Sequence, residues 1–332
     1  MVRFGIVGFG LHAVKRLMPG FRQATRCQVT ALSRRTMEKA RESARQNGIP
    51  LAFSSAEELC QSPEVDAVFV TTPNAMHLKD VLTAVRYKKP VLCEKPMAIN
   101  AKECREMVEA ARSAGVLLGV AQVFRFEPSL ARLRERIAAG QIGKPVFARS
   151  EFSFYAGDGH ARAWLNDASI AGGGPVADVG VHSVDALRYV LQDDVLRVSA
   201  RGFNDSRSGT VEAGAALTLE FSQGTLGSVL VSFRAEYRTP LEFVGERGVL
   251  RAENGLNVER PITLQLLRGW DVVETETVSN AGVYAKQVDA FADAVEGRTQ
   301  FPVPGEEGWK NQQILDAAFL SMRTGRTEEV AK

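Results

Sequence analysis

Side chains that could move a proton occur together near the middle of the chain. Asp178 and His182 are four residues apart, so a helix would carry them on one face, with Asp185 continuing the stripe. A carboxylate aligned with an imidazole suits proton transfer near neutral pH. The pair also fits a buried, satisfied histidine or a metal site, although the sequence supplies no convincing third ligand. The glycines at 172–174 predict a close approach of backbone to something.

Glu94, Lys95 and Pro96 form a second reactive stretch, directly after an apolar run at 90–93. We predict that this run is a strand of a parallel sheet, which places Glu94 and Lys95 at the edge where such sheets bind ligands. A cis Lys95–Pro96 peptide bond would turn the lysine sharply toward that ligand. Taken alone, a Glu-Lys pair is more simply explained as a surface ion pair at a strand end.

A glycine-rich turn near the start of the chain predicts the nature of the ligand. The turn consists of Gly8, Phe9, Gly10, Leu11, His12 and Ala13. It follows a predicted strand and opens a helix, so the first glycine would make the tight turn and the second would let the backbone approach a pyrophosphate. The helix N-terminus would supply N–H groups to that charge. The turn therefore predicts a dinucleotide site contacted by residues 8–12.

The end of the second predicted strand indicates which dinucleotide binds. An acidic residue there would bind the ribose 2′-hydroxyl of NAD, but the sequence has Ser33, Arg34 and Arg35. Ser33 can donate to a phosphate, Arg34 offers a bidentate fork, and two cations at a helix start favour a bound anion. The alternative is that both arginines are merely solvated. We predict NADP as the cofactor, with NAD less favoured.

The elements that must position these residues alternate in the first third of the chain. Strands are predicted at 3–7, 28–32, 66–70, 90–93 and 117–122, and helices at 36–47, at 76–87 and from Asn100. Alternation of this kind predicts an α/β fold with an N-terminal Rossmann domain, a doubly wound parallel sheet whose ligands lie beyond the carboxyl ends of its strands. Asn100, with Glu103 three residues later, predicts a capped helix start.

The pattern changes near residue 123, after which strands dominate. Strands are predicted at 146–155, 211–221, 225–234, 241–244, 249–252, 262–267 and 272–278, and helices at 128–140, 281–296 and 309–322. Short connections favour antiparallel neighbours. We therefore predict an NAD(P)-binding Rossmann domain over 1–123, and over 124–332 a C-terminal α+β domain with a large, open, mainly antiparallel sheet that binds substrate and mediates oligomerisation.

Composition limits the classes of function. A chain of 332 residues with 45% hydrophobic and 24% charged residues is typical of a two-domain globular protein. A net charge of +2 gives no reason to expect nucleic acid or an anionic membrane as a partner. The start of the chain resembles no leader, no apolar run is long enough to span a bilayer, and the four cysteines lack metal-like spacing. We expect a cytoplasmic protein with reduced thiols and no metal.

Together these motifs resemble the glucose–fructose oxidoreductase/inositol dehydrogenase (Gfo/Idh/MocA) family of NAD(P)-dependent oxidoreductases. The most specific elements are Glu94-Lys95-Pro96 and the Asp-x-Gly-x-His pattern of 178–182. Further matching positions are Gly8, Phe9, Gly10, Thr72, Pro73, Asn74, His77, Arg125, Phe126, Pro128, Asp185, Tyr284, Phe291, Gly297, Pro302 and Gly305. The resemblance runs along nearly the whole chain and implies hydride exchange between a nicotinamide and a sugar, cyclitol or related small polyhydroxy substrate.

The resemblance also implies roles for individual residues. Lys95, Asp178 and His182 would surround the reacting carbon, where the histidine relays the proton of the alcohol or carbonyl oxygen and the lysine stabilises alkoxide charge. Implied cofactor contacts, besides the glycine turn and residues 33–35, are Thr71, Thr72, Pro73, Asn74, His77, Glu94, Lys95, Gln122, Trp164 and Tyr284.

An aromatic, donor-rich stretch before the proposed catalytic helix predicts the substrate pocket, because aromatic faces stack on sugars while arginine addresses hydroxyls. The predicted substrate contacts are Lys95, Tyr155, Arg162, Trp164, Asp178 and His182. Phe152 and Phe154 fit the core of a strand equally well. In sugar-acting members similar to this chain an arginine follows the tryptophan, whereas this chain has Leu165.

Three functions remain open at this point. The first is an NADP-dependent sugar or cyclitol oxidoreductase. The second is a non-catalytic NAD(P)-sensing regulatory protein, which would have no need of an acid/base set. The third is an NAD-dependent, redox-assisted glycoside hydrolase, against which Ser33 and Arg34 argue. Because an open sheet needs covering, we also expect a homodimer or homotetramer formed through the C-terminal sheet.

Overall fold

Two compact units make up the computed structural model, which describes residues 1–157 and 163–331. The first unit contains Met1–Val123 and Gly282–Lys310, and the second contains Phe124–Ala281 and the chain from Asn311 onward. The chain thus leaves the first unit after Val123 and later returns to it. A single division at residue 123 does not include this return.

A six-stranded parallel sheet forms the centre of the first unit. Its strands are β1 Val2–Val7, β2 Cys27–Ser33, β3 Leu51–Phe53, β4 Ala67–Val70, β5 Val91–Cys93 and β6 Leu118–Val120. They lie in the order β3-β2-β1-β4-β5-β6, and every neighbouring pair is parallel. β4 and β5 are buried at every residue, as expected of parallel strands covered on both faces. The predicted doubly wound sheet is confirmed, but β3, with three half-buried residues, was not predicted.

Helices connect these strands. They are α1 Met18–Gln23, which continues a π-helical segment at Ala13–Leu17, α2 Met37–Asn47, α3 Ala56–Gln61, α4 His77–Arg86 and α5 Ala101–Ala114. The predicted cap of α5 is confirmed, because the Asn100 side chain accepts the N–H of Glu103 at 2.9 Å. α2 ends at Gly48, whose φ of +69° is a left-handed conformation that glycine adopts readily.

A nine-stranded sheet forms the second unit. Its strands are β7 Pro145–Ser153, β8 Val195–Phe203, β9 Gly214–Phe221, β10 Leu226–Ser232, β11 Leu241–Gly245, β12 Gly248–Ala252, β13 Ile262–Arg268, β14 Asp271–Val278 and β15 Glu328–Glu329. The order is β14-β13-β12-β11-β7-β10-β9-β8-β15, and only the β7–β10 pair is parallel. The predicted large, mainly antiparallel sheet is confirmed, although β8 and β15 were not predicted.

Helices of the second unit are α6 Pro128–Ala138, the short α7 Ala168–Ala171 and α8 Val181–Leu191. α8 lies against β7 and β10. The hydroxyl of Ser183 on α8 bonds that of Ser150 on β7 at 2.9 Å, which fixes the first turn of the helix beside the sheet. Along β9, buried and exposed residues alternate, so one face of the sheet faces its helices and the other remains open.

The returning segment completes the core of the first unit. It contains α9 Val283–Val295 and the start of α10 Gly305–Thr324, which begins four residues before its predicted start at 309. Phe301 lies against β6 so closely that a Cβ on Gly119 would stand 2.6 Å from its ring. The N–H of Val120 donates to the Val303 carbonyl at 2.9 Å. These contacts explain why this part of the sequence belongs with the parallel sheet.

The described residues include no helix with the length and apolar character of a membrane span. Cys27, Cys60, Cys93 and Cys104 are buried free thiols, as predicted. Burial raises the pKa of Cys60 to about 12, so this thiol stays protonated and unreactive near neutral pH.

Candidate active site

The glycine turn lies between β1 and the helical segment that begins at Leu11. Gly8 has a φ of +82°, and a Cβ there would stand 2.7 Å from the backbone nitrogen of Thr72. Only glycine therefore fits at this position. A Cβ on Gly10 would meet only the Gly8 carbonyl oxygen, at 3.6 Å, which leaves that side of the turn open for close approach of a ligand.

The three larger residues of the turn have different environments. Phe9 is 2% exposed and its N–H donates to the Ser33 carbonyl at 3.0 Å, so its side chain belongs to the core and only its backbone can meet a cofactor. Leu11 is 44% exposed. His12 is half-buried, and its Nε2 lies 2.9 Å from Oε1 of Glu94.

The loop at 71–74, here called the Thr71 loop, is fastened to the glycine turn. The Thr71 hydroxyl donates to the carbonyl oxygens of Val7 and Gly8, at 3.1 and 3.0 Å. The Thr72 hydroxyl donates to the buried carboxylate of Asp80 at 2.8 Å. The remaining loop residues are the half-buried Pro73 and the buried Asn74. These bonds hold the loop at the carboxyl end of β4.

His77 was predicted to contact the cofactor, but its ring is completely buried. Its Nε2 lies 2.8 Å from the Thr72 carbonyl oxygen and its Nδ1 lies 3.1 Å from that of Pro96. Burial lowers the pKa of His77, against the opposing effect of these carbonyls and of Glu94. The ring joins the Thr71 loop to the turn after β5, and the predicted cofactor contact of His77 stays a prediction.

Glu94 stands at the carboxyl end of β5, buried against the glycine turn. Burial would raise its pKa, but His12 and Lys95 outweigh burial, and the pKa of Glu94 lies below its usual value. The carboxylate is therefore ionised at neutral pH, and its Oε2 accepts the N–H of Lys95 at 3.2 Å. The half-buried Lys95 precedes Pro96 through a cis peptide bond, as predicted.

The end of β2 supplies the residues predicted to select NADP. Ser33 is buried, Arg35 is exposed, and Arg34 is half-buried with its Nη1 donating to the Ser43 hydroxyl on α2 at 2.7 Å. Thr36, the N-cap of α2, makes no side-chain hydrogen bond to the helix. The start of α2 therefore combines uncapped N–H groups with an adjacent guanidinium, an arrangement that favours an anion.

Gln122 and Tyr284 complete the predicted contacts of the first unit. Gln122 is buried just beyond β6. Tyr284 is half-buried on α9, and its ring meets that of His12 edge-on at 6.4 Å between centroids. Tyr284 thus lies beside the glycine turn, although it is 272 positions further along the chain than His12.

The residues present fit a dinucleotide. Gly10 leaves one side of the turn open, and the helical segment after it has no side-chain cap. The Thr71 loop and Glu94 follow at the ends of β4 and β5, and Arg34 at the end of β2. All of these lie at the carboxyl edge of one parallel sheet, the edge at which such folds bind dinucleotides.

In the second unit, Asp178 and His182 lie at the start of one helix. Asp178 belongs to a π-helical turn, Val176–Gly180, and His182 to the first turn of α8. A π-helical turn is wider than an α-helical one, so the regular α-helical spacing predicted from the sequence does not hold here. Both side chains are nearly buried, at 6% and 7% exposure.

The His182 ring is enclosed by two aromatic residues. Phe124 meets it edge-on, with 4.6 Å between ring centroids, and Phe152 lies nearly parallel to it at 6.1 Å. Phe152 is therefore a wall of the histidine site, whereas Phe154 packs on Phe233 at 5.0 Å. These two rings flank the imidazole, which is largely buried.

Asp185, which continues the stripe of Asp178 and His182, has a structural role. Nε and Nη2 of Arg125 donate to its two carboxylate oxygens at 2.7 and 2.8 Å, and Asn311 donates to Oδ1 at 2.7 Å. This buried, bidentate ion pair joins α8 to Arg125. The carboxylate therefore anchors the helix and is not available for proton transfer.

The predicted substrate residues of the second unit lie before this helix. Tyr155 is 58% exposed, and its hydroxyl accepts a hydrogen bond from Nη1 of Arg207 at 3.0 Å. Trp164 is half-buried in a 3₁₀ turn, Ala163–Asn166, and Leu165 beside it is buried. Arg162 lies outside the described residues.

Sequence reasoning missed Glu212. Its carboxylate accepts the N–H groups of Gly174 and Val176 at 3.0 and 2.9 Å. A Cβ on Gly173 would stand 2.3 Å from the ring of Phe319. The sequence predicted that the glycine run approaches something closely, and the structure shows that its close neighbours are Glu212 and Phe319. No local motif marks Glu212, since it is 36 residues from Val176.

The described part of the chain contains no group of three or more histidine, cysteine, aspartate or glutamate residues arranged to hold a metal.

Family models match both units of the chain. The model described as "Oxidoreductase family, NAD-binding Rossmann fold" matches residues 2–122. The model described as "GFO/IDH/MocA C-terminal domain" matches residues 130–251. Together they cover most of the chain.

Curated relatives of similar length include enzymes that act on sugars. The chain is 32% identical to a 1,5-anhydro-D-fructose reductase of Ensifer adhaerens over 332 residues, which cover 99% of each chain. It is 32% identical to a D-xylose 1-dehydrogenase (NADP(+)) of Haloferax volcanii over 98% of this chain and 99% of the relative.

Among solved structures, an aldose-aldose oxidoreductase of Caulobacter crescentus complexed with glycerol has a TM-score of 0.89 with 24% identity, covering 99% of both chains. An oxidoreductase of Thermotoga maritima has a TM-score of 0.88 with 25% identity, covering 99% of this chain and 98% of that one. The likeness at 24% identity concerns the fold alone.

Proposed function

We propose, on the premise that this chain belongs to the Gfo/Idh/MocA family of oxidoreductases, that it exchanges hydride between NADP and a sugar, cyclitol or related small polyhydroxy compound. The chain is a dehydrogenase or reductase acting on CH–OH groups, as are the relatives it matches over their full length. The choice of NADP and of the substrate class is the proposal.

The proposed mechanism assigns the acid/base chemistry to three side chains. A bound nicotinamide would supply the hydride donor or acceptor. The His182 imidazole takes the proton of the reacting hydroxyl group in oxidation and returns it to the oxygen in reduction. The Lys95 ammonium stabilises negative charge on that oxygen, and Asp178 lies at the same helix start as His182.

The observation that carries the proposal is the bond between His12 and Glu94, at 2.9 Å. It ties the turn that bears Lys95 directly to the glycine turn, so a reactive lysine belongs to the same structure as the dinucleotide site. A surface ion pair between Glu94 and Lys95 would not require a bond to His12, and it would leave Glu94 exposed. Glu94 is instead buried.

NADP is supported by the absence of a carboxylate at the end of β2, where Arg34 lies against Ser43. Arg34→Ala should weaken NADPH binding by about 10- to 100-fold and leave NADH binding within about twofold, since a guanidinium–phosphate pair contributes about 1.5–3 kcal/mol. Arg41→Ala, which removes an exposed arginine of the same helix α2, is the matched control. Equal losses for both cofactors would contradict the preference.

A sugar-like substrate is supported by the aromatic side chains that precede the helix that bears His182 and by Arg207, which binds one of them. Tyr155 is exposed beside Arg207, and Trp164 is half-buried. This chain has Leu165 where similar sugar-acting members have an arginine. Leu165 is 4% exposed and has no group that could bind a substrate hydroxyl. We therefore propose the substrate class without a single compound.

The outer face of the nine-stranded sheet supports a homo-oligomer. An apolar row crosses six strands, each member paired with the next: Val272, Leu267, Val249, Val244, Phe147 and Leu226. Phe147 and Leu226 are more than 40% exposed, and Trp270 at the β13–β14 turn is 99% exposed. The neighbouring row pairs Glu242 with arginines on both sides, which suits a self-complementary interface with a second copy of the chain.

Light scattering tests this interface directly. The wild type should be a dimer or tetramer at micromolar concentration, and Phe147→Asp should shift it toward the monomer. A monomeric wild type would contradict the proposal. The predicted cytoplasmic location stays a prediction.

A substrate screen that follows NADPH absorbance tests the proposed reaction. The panel should contain keto-sugars, aldoses and cyclitols, run in both directions. His182→Ala and Lys95→Ala should each lower kcat by about 100- to 10,000-fold while NADPH still binds. Arg105→Ala, which removes an exposed arginine of α5, should leave kcat within about twofold.

The alternatives give different outcomes in the same screen. A sensor would bind NADPH tightly and turn over no compound of the panel. A redox-assisted hydrolase would retain NAD through purification and release the substituent of a glycoside without net cofactor reduction. Either outcome would overturn the proposed function.

A further inference from the structure

The helix with the proposed acid/base pair begins without a cap of its own. Its N-cap residue, Pro175, provides no side-chain hydrogen bond, and the first N–H groups of a helix lack partners within it. Glu212 supplies the missing acceptors from the segment before β9. Its Oε2 accepts the N–H of Gly174 at 3.0 Å, and its Oε1 accepts that of Val176 at 2.9 Å. One carboxylate therefore binds the residue on each side of the proline.

Steric contacts hold the same segment on two sides. A Cβ on Gly174 would stand 2.2 Å from the Glu212 carbonyl oxygen and 3.2 Å from its Cδ. A Cβ on Gly173 would stand 2.3 Å from the ring of Phe319 on α10. The glycine run is thus closely packed between Glu212 and Phe319. A displacement of Glu212 would move the start of the helix.

The environment of Glu212 directs its bonding to the helix. The residue is 8% exposed, and burial raises its pKa, against the opposing effect of the N–H groups of Gly174 and Val176. A carboxylate at a helix N-terminus is also stabilised by the partial positive charge there. Glu212 therefore has the position and chemistry of an external helix cap.

The segment that carries this residue, 205–212, also holds two other parts of the predicted pocket. Arg207 donates to the Tyr155 hydroxyl at 3.0 Å. The N–H of Thr210 donates to the carbonyl of Asn166, the last residue of the 3₁₀ turn that contains Trp164, at 3.0 Å. One short segment thus touches three stretches that sequence analysis assigned to substrate binding or catalysis.

We propose that Glu212 is a positioning residue of the active site. By fixing the first turn of the helix, its carboxylate sets the place of Asp178 and His182, and turnover depends on that placement. Glu212 acts through the helix and does not exchange a proton with substrate. The inference rests on the proposed function to the extent that Asp178 and His182 act on a substrate.

Glu212→Gln tests the proposal with almost no change in volume. The amide nitrogen would face one of the two backbone N–H groups, so one hydrogen bond is lost and two donors oppose each other. We expect kcat to fall by about 10- to 100-fold. The Kd for NADPH should change by less than about threefold, because the glycine turn and Arg34 are not part of this helix. The KM for substrate should change less than kcat, because a displaced imidazole costs more in the transition state than in the ground state. Glu212→Asp, which keeps the charge but is shorter, should give an intermediate kcat.

Asp193→Asn is the matched control. Asp193 is also a buried carboxylate that accepts backbone N–H groups, those of Asp194 and Gln223 at 2.8 and 3.0 Å, but it lies beyond the far end of α8. Asp193→Asn should lower Tm as much as Glu212→Gln does and leave kcat within about twofold. Equal losses of kcat in the two variants would indicate general destabilisation and would overturn the proposal.

A double-mutant cycle separates positioning from an independent effect. In the His182→Ala background, Glu212→Gln should lower the residual rate by less than about twofold, since residues that act through one another are not additive. A further loss as large as that seen in the wild-type background would overturn the proposal.

Hydrogen exchange provides a readout that needs no substrate. Glu212→Gln should speed exchange of the backbone amides at 176–182 by about tenfold or more, while those of α6 stay unchanged. If the wild type turned over no compound, the proposed function would fail. The exchange result would still show whether Glu212 holds the helix start in place. Unchanged exchange at 176–182 would overturn the positioning role whatever the activity.

Discussion

Glu94 and Glu212 are buried carboxylates in different units, and they are held in different ways. Glu94 binds the imidazole of His12 and the N–H of Lys95, and although burial opposes ionisation, these neighbours place its pKa below the usual value. Glu212 binds backbone N–H groups at a helix start, and burial raises its pKa despite them. Burial alone therefore does not set the charge of a carboxyl group.

The difference matches the task proposed for each region. A cofactor site that must accept a large anion can use charged side chains, because these adjust when the ligand arrives. A helix that must hold an imidazole in one place depends on backbone contacts, which leave little freedom. The glycines of the two regions differ in the same way. Gly8 lets two loops meet around a ligand site, and Gly174 lets a carboxylate reach a helix.

Gly8→Ala should have the largest effect on the cofactor region. The Cβ would overlap the backbone of Thr72, and alanine disfavours a φ of +82°. We expect NADPH binding to weaken by about 100-fold, close to 3 kcal/mol, measured by fluorescence titration. Gly48→Ala is the control, since Gly48 has a φ of +69° but no heavy atom within 4 Å of its would-be Cβ. Unchanged affinity in Gly8→Ala would show that the two loops are not packed as described.

Gly174→Ala should act on turnover instead. Its Cβ would push against the Glu212 carbonyl at 2.2 Å and move the helix start. We expect kcat to fall by about 30-fold, near 2 kcal/mol, with NADPH affinity within about threefold of the wild type. Both kcat and NADPH affinity should be measured in Gly174→Ala and in Gly8→Ala. If both variants lost both kcat and NADPH affinity, the distinction between the two regions would be wrong.

His12→Ala should have a smaller effect that depends on pH. Removing the imidazole leaves burial as the main influence on Glu94, so the pKa of Glu94 should rise. NADPH binding should weaken by about fivefold at neutral pH and should become pH-dependent at a higher pH than in the wild type. Lys15→Ala, which removes an exposed cation of the same helical segment, controls for the loss of positive charge. Parallel pH profiles for His12→Ala and the wild type would contradict the account.

The sequence was sufficient where position along a strand decides position in the fold. Glu94 and then Lys95 follow an apolar strand, and the Asn100 side chain accepts a backbone N–H only three positions away. It was insufficient where the partner is distant. Glu212 reaches its helix from 36 residues away, and β3 is too short for its burial to show as a period. For His77 the motif indicated nearness to the Thr71 loop, but it did not show that the ring is buried against the carbonyl oxygens of Thr72 and Pro96.

The smallest expected effect is a difference in how the two carboxylates link stability to pH. Glu94 has a lowered pKa in the folded state, so the unfolded chain binds its proton more readily, and this stabilisation is lost as pH falls below about 4.5 through the folded value. Glu212 has a raised pKa, so its contribution is complete below about 4.5 and is lost as pH rises through the folded value. Tm should be measured against pH. In Glu94→Gln the rise of Tm with pH in the acidic range should disappear, and in Glu212→Gln part of the fall of Tm at higher pH should disappear. Each effect corresponds to at most about 1.4 kcal/mol per pH unit in the free energy of unfolding. If both substitutions changed the slope of the wild type in the direction expected for Glu212→Gln, burial alone would govern both carboxylates. The contrast between the two regions would then be wrong.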